Sequence, residues 1–166
     1  DSPEKGTRPS FANKARAKRI DLFSSILEIN GAEIARTKKK TDIPGLVAKY
    51  LKTHNLPAKI KSGYDPFFEK INWASQKTLK LESGRAIVSD TASISLARAA
   101  SCETGTLFLV SGNDNPTSLN FLPETHMIVI EADKIEASYE DCWDHIRQIY
   151  GKGVMPRTVN LISGPS

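Results

Sequence analysis

At 166 residues, with 39% hydrophobic and 25% charged side chains, the chain has the composition of a soluble globular domain and the length for one core, or one core with a short arm. A disordered chain, a collagen-like chain and a disulfide scaffold are excluded, and two cysteines, Cys102 and Cys142, are too few for a disulfide framework or a metal cage. The net charge of +4 is unevenly spread: ten Lys and Arg face five Asp and Glu in residues 1–40, seven face three in 41–80, and six face eleven in 81–166. The basic first half admits a nucleic-acid-binding module, but no nucleic-acid motif accompanies it, and the charge reads as a solvated surface. Lys38-Lys39-Lys40 is short, lacks interleaved aromatics and reads as a loop. Apolar runs such as Thr106–Val110 and Met127–Ile130 are too short to span a bilayer. Asp1–Lys5 lacks the basic and apolar segments of a signal peptide, so a cytoplasmic protein with no membrane partner is expected.

Ser10 is placed to cap a helix that begins at Phe11, with Ala15, Ile20, Leu22, Phe23, Ile26 and Leu27 on its apolar side and Gly31 as its stop. Ala32–Arg36 alternates as a strand with one covered face does. Asp42 and Pro44 start a second helix whose stripe is Leu46, Val47, Tyr50 and Leu51, and Ala58–Lys61 follows as a strand. Tyr64–Phe68 and Ile71–Trp73 read as a short helix and its exit. Thr78–Leu81 and Ala86–Val88 are strand candidates around a Ser83-Gly84 turn. Ser93–Leu96 leads into a small-residue run, Ala97–Ser101, expected as a short helix. Thr106–Val110 and Met127–Ile130 are strands of the buried type, separated by a polar turn over Ser111–Asn120. Ser138 caps a last helix with inner residues Trp143, Ile146, Ile149 and Tyr150, ended by Gly151, and Thr158–Ile162 is the final strand. Strands alternating with helices predict an α/β fold, a single Rossmann-like domain with a mostly parallel sheet. Ligands of such sheets collect at the carboxyl ends of the strands, which directs attention to the turns after Val110, Ile130 and Ile162.

No Gly-x-Gly-x-x-Gly follows a strand and no P-loop occurs, so no bound cofactor is expected. His54, His126 and His145 share no metal-ligand spacing with the cysteines, and no metal site is expected. Cys142 reads as a packing residue, and Cys102, beside Glu103, as a reactive thiol or, more commonly for a free cysteine, a small buried hydrophobe. Glu103-Thr104-Gly105-Thr106 sets a carboxylate and two hydroxyls at the entrance of a buried strand. Ser111, Gly112, Asn113 and Asn115 belong to a turn whose amides can hold an anion. Glu124 and His126 stand two apart just ahead of a strand, an arrangement for acid–base work or for plain hydrogen bonding. Arg157 offers a cation for a carboxylate or phosphate, or for an internal ion pair. Glu103 and His126 are therefore the candidate catalytic residues, and Thr104, Gly105, Thr106, Ser111, Gly112, Asn113, Asn115, Glu124 and Arg157 the candidate ligand-binding ones. Ordinary turn chemistry accounts for the two polar turns equally well.

Four segments, Cys102–Leu107, Ser111–His126, Ser138–Asp141 and Met155–Ser166, closely resemble the lactate-utilisation protein C family (LutC/YkgG), also called the LUD domain. The resemblance is strong over Ser93–Ser166 and weaker, but consistent in order, before it. It implies a fold like that of the NagB/RpiA/CoA-transferase group. It also implies a role beside LutA- and LutB-like iron–sulfur proteins in oxidising L-lactate to pyruvate, with a small organic anion as ligand. The family continues past Gly-Pro-Ser with an Arg-Thr-Ala-Asp-Ile stretch and a His-Gly-Pro segment. The expected organisation is thus an N-terminal arm over residues 1–10 and a LUD domain over 11–166 without that tail. Class I CoA-transferases of the wider fold group use a glutamate in a Glu-Asn-Gly turn, and Glu103-Thr104-Gly105 is similar in outline. Three readings follow: an accessory subunit of a lactate-oxidising complex, a stand-alone acyl-, CoA- or sugar-phosphate-handling enzyme using Glu103, and a nucleic-acid-binding module. The first is taken, and a homo-oligomer is compatible with it.

Overall fold

The computed structural model describes residues 15–151 and 153–164. It opens with helices α1 (Arg16–Ile29) and α2 (Ile43–Thr53), strand β1 (Lys59–Ser62) and the single-turn helix α3 (Pro66–Glu69). Strands β2 (Lys80–Ser83), β3 (Ala92–Leu96), β4 (Ala99–Ser101) and β5 (Thr106–Val110) follow. The chain then forms α4 (Ser118–Phe121), β6 (Thr125–Val129), β7 (Ile135–Glu136), α5 (Tyr139–Tyr150) and β8 (Val159–Ile162). The fold is mixed α/β with a mostly parallel sheet. No helix among the described residues is long and apolar enough to cross a membrane.

The chain divides into two compact units. One takes Ala35–Leu96 and Val110–Val129 and holds a four-stranded sheet of order β2-β1-β3-β6, with each pairing parallel. Its core sits on one sheet face: Ile43, Val47 and Leu51, four residues apart along α2, pack with Ile60, Phe68, Ala92, Ile94 and Leu96. Pro44 lies in the first turn of α2, where its missing N–H goes unnoticed. Asp65 caps α3 by accepting from the Phe67 amide at 2.8 Å.

The other unit takes the described residues up to Ile34, Ala97–Leu109 and those from Ile130 onward, with a sheet of order β7-β4-β5-β8. Here β4 pairs antiparallel with β5 and parallel with β7. Ser138 starts α5 reciprocally, accepting from the Asp141 amide at 3.3 Å and donating to its carboxylate at 2.9 Å. The Phe108 ring meets Tyr139 and Trp143 edge-on, each at 5.4 Å.

Several expectations change. The expected start of the first helix, Phe11–Lys14, lies outside the described residues, and within them α1 begins at Arg16. Ala32–Arg36 is not a strand: Ala32 and Ile34 are half-buried and Glu33 exposed, as the alternation requires, but no strand pairs with the segment. Ala86–Val88 is a loop with Ile87 and Val88 exposed, and the Gly84 amide turns back onto the Ser62 carbonyl. Ala97–Ser101 is not helical. Its last three residues form β4, where pairing with β5 and β7 outweighs the helix preference of alanine. The buried residues of α5 are Cys142 and Ile146, whereas Ile149 is exposed. Lys40 begins a short 3₁₀ turn and places its ammonium 4.4 Å from the Phe67 ring centre.

Gly63, buried at the end of β1, touches the Asp114 backbone so closely that an alanine methyl would collide with that carbonyl. Backbone meets backbone there, and neither can rotate away. Gly63→Ala is expected to lower stability by ~2–3 kcal/mol in urea denaturation, and an unchanged midpoint would contradict the contact.

Candidate functional site

The residues expected to act together fall into both units, and each group is described by itself. In the unit that holds β5, Glu103 lies between β4 and β5 and is half-buried. Its Oε1 accepts from the Tyr139 amide at 3.1 Å, the first helical position of α5. Glu103 thus serves the positive end of that helix, and its partner is not Arg157. The hydroxyls of Thr104, Thr106 and Tyr139 form a chain with links of 2.8 Å, running from an exposed threonine to a buried one. Gly105 sits at φ +64°, and a side chain there would lie 2.6 Å from Ile26 of α1. Arg157 is exposed in the loop before β8. Cys102 and Cys142 are fully buried, and Cys102 donates to the Ala137 carbonyl at 3.5 Å. Burial, with Glu136 and Asp141 nearby, pushes the Cys142 thiol up, so it stays protonated and inert.

In the unit with the parallel sheet, the turn after Val110 is tied to itself and to β1. The Gly112 amide donates to the Asn115 carbonyl at 3.2 Å, Asn115 Nδ2 donates to the Val110 carbonyl at 3.3 Å, and the Tyr64 amide donates to the Asn113 carbonyl at 3.2 Å. Asn115 is buried, while Gly112 and Asn113 are exposed and Ser111 is half-buried. The Asp114 carboxylate lies against Gly112, so an anion held by these amides would meet a like charge. The turn therefore uses its polar groups chiefly to bind itself.

His126 is inside β6 rather than ahead of it, because the strand begins at Thr125. Glu124 remains outside the strand and exposed, so the alternation that would align the two side chains does not reach it. The partner of His126 is Ser95: Nε2 lies 2.9 Å from the serine hydroxyl. Burial lowers the His126 pKa from 6.5 to about 4, so the ring is neutral at pH 7. Ser95 and Tyr139 were missed in the sequence. Ser95 had a signal, the polar alternation of Ala92-Ser93-Ile94-Ser95-Leu96, and Tyr139 lies in the family-like segment Ser138–Asp141, but its contact depends on where α5 lands.

Residues 20–166 match the family model described as LUD domain. Lactate utilization protein C of Shouchella clausii (strain KSM-K16) is 38% identical over 64 residues, or 39% of this chain and 28% of that protein. Lactate utilization protein C of Geobacillus sp. (strain WCH70) is 34% identical over 65 residues, or 39% of this chain and 27% of that protein. Each match thus spans little more than a quarter of the relative's length. A crystal structure of a DUF162 family protein from Deinococcus radiodurans has the same fold, with a TM-score of 0.72 at 21% identity, covering 91% of this chain and 90% of that one.

Two measurements test this geometry. Gln at position 103 can still accept from the Tyr139 amide, whereas Ala cannot. Glu103→Ala is expected to cost ~1–2 kcal/mol of stability and Glu103→Gln less than half of that. Equal losses in both would mean that charge, not the acceptor, is what α5 uses. His126 is neutral in the fold and takes up a proton in the unfolded chain below pH 6.5. Its contribution is complete above that pH and is lost toward about 4, at up to ~1.4 kcal/mol per pH unit. Urea titrations at pH 7 and pH 5 are expected to show this loss, and His126→Gln is expected to remove it.

Proposed function

The chain belongs to the LUD domain family, and on that premise we propose that it is a subunit supporting the oxidation of L-lactate to pyruvate. The observation that carries the reading is the family match from residue 20 to residue 166, joined by relatives named for lactate utilisation. Turning a secondary alcohol into a ketone releases two electrons and two protons, and an acceptor must take them. This chain contributes two cysteines, both buried, against the four thiolates that an iron–sulfur cluster takes. On this reading, electron carriage belongs to LutA- and LutB-like iron–sulfur partner proteins, as the family resemblance implies, and this subunit's share is to bind and position a small organic anion. Glu103, whose Oε1 accepts from the first amide of α5, is read here as a carboxylate that orients that helix start, and the alternative of an acyl-transfer enzyme using it is set second.

Disrupting the gene is expected to abolish growth on L-lactate while sparing growth on pyruvate. Affinity capture from lactate-grown cells is expected to bring down iron–sulfur proteins. Normal growth on L-lactate after disruption would refute the assignment.

A further inference from the structure

Part of the basic surplus of the first half lines a cavity. From Arg36 to Thr53 six Lys and Arg stand against one acidic residue, Asp42. Within the unit that holds the parallel sheet, beside the start of α2, lies a cavity of about 560 Å³, a volume typical of small-molecule sites. Arg36, Thr41, Lys49 and Gln76 line it with hydrogen-bond donors, and Leu46 adds an apolar wall. Among the described residues, no hydrogen bond or ion pair occupies the side chains of Thr41, Lys49 or Gln76. Asp42 also belongs to the lining, but its Oδ2 accepts from Thr37 Oγ1 at 2.6 Å, which ties that carboxylate to the segment ahead of α2.

The cavity follows from the helix repeat. Asp42, Gly45, Leu46 and Lys49 are three, four and seven residues apart, so they share a strip beside the buried stripe of Ile43, Val47 and Leu51. Gly45 is the floor of that strip. An alanine methyl there would make only ordinary contact, 3.7 Å from Gln76 Nε2, and the backbone at Gly45 is not in the left-handed region. Neither packing nor conformation asks for a glycine that is less favourable than alanine inside a helix. What the missing side chain leaves open is the cavity.

We propose that this cavity binds the diphosphate group of a small ligand. The Arg36 guanidinium forks onto one phosphoryl group, and the Lys49 ammonium meets the other. Thr41 Oγ1 and Gln76 Nε2 donate to the remaining oxygens. Lys49 is seven residues, about 10 Å of helix, beyond Asp42, whereas Arg36 precedes the helix, so the two cations enter from different places and suit two linked phosphoryl groups. One cation would balance a monocarboxylate. Here two line the cavity, and Lys38 and Lys77, next in sequence to Thr37 and Gln76, are exposed and add positive potential.

The test is isothermal titration calorimetry of the purified chain with pyrophosphate, ADP and inorganic phosphate at one fixed ionic strength. Pyrophosphate and ADP are expected to bind saturably, one per chain, and inorganic phosphate at least ~10-fold more weakly. Tighter binding of ADP than of pyrophosphate identifies a nucleotide as the source of the group, and equal binding identifies the diphosphate alone. Arg36→Gln and Lys49→Met are each expected to weaken pyrophosphate binding ~10-fold or more. Lys52→Met, the same change of charge on the same helix but outside the lining, is expected to bind as wild type does. Asp42→Asn keeps an acceptor for Thr37, removes the like charge and is expected to tighten binding. Gly45→Leu is expected to fill the floor and weaken binding with an unchanged or raised Tm. The proposal is overturned if pyrophosphate gives no saturable heat, if inorganic phosphate binds as tightly, or if Lys52→Met weakens binding as much as Lys49→Met. Wild-type affinity in Arg36→Gln, Lys49→Met or Gly45→Leu overturns it too.

Discussion

The register of β3 is the constraint on which its sheet depends. All five residues of this strand are buried, and it is hydrogen-bonded on both sides, to β1 and to β6. Because side chains alternate, Ala92, Ile94 and Leu96 must share one face and Ser93 and Ser95 the other. A slip of one residue would put two hydroxyls into the apolar core and three hydrocarbon side chains against His126. Burial of Ile94 against α2 and the Ser93 bond to α4 thus select the same register from opposite faces.

That register also accounts for the state of His126. The imidazole projects onto the serine face, where it finds the Ser95 hydroxyl and, among the described residues, no carboxylate partner, and burial favours the neutral ring. Lys61 on β1, the register partner of Ser93, pairs with Glu82 on β2 at 3.5 Å.

In the unit with the antiparallel pairing, the polar residues ahead of β5 are engaged by the start of α5. Along the chain, Glu103 reads as a candidate catalytic carboxylate and Thr104 and Thr106 as candidate ligand-binding hydroxyls beside it. In space, α5 begins over them, and its first amide and the Tyr139 hydroxyl take up the carboxylate and Thr106. Gly105 allows this by letting α1 approach at Ile26. The two cysteines complete the pattern, being small buried groups whose thiols have no path to solvent.

Local physics made much of this molecule readable in one dimension. The spacing of Ile43, Val47 and Leu51, Pro44 in a first turn, Ser138 with Asp141, and the apolar runs at Thr106–Val110 and Met127–Ile130 each act within a turn or a strand, and the corresponding elements formed. The family motifs were legible for the same reason, as residues close together in the chain. Ala99–Ser101 became a strand because β5 and β7 offered hydrogen bonds, while Ala32–Arg36 kept its alternation and had no ladder to join. Ser95 beside His126, Tyr139 beneath Glu103 and the alignment of Glu82, Lys61, Ser93 and His126 across four strands were decided by pairing register and helix placement. Such contacts join residues tens of positions apart, and no propensity or spacing encodes them, because the free energy that selects them exists only once the distant segments have packed.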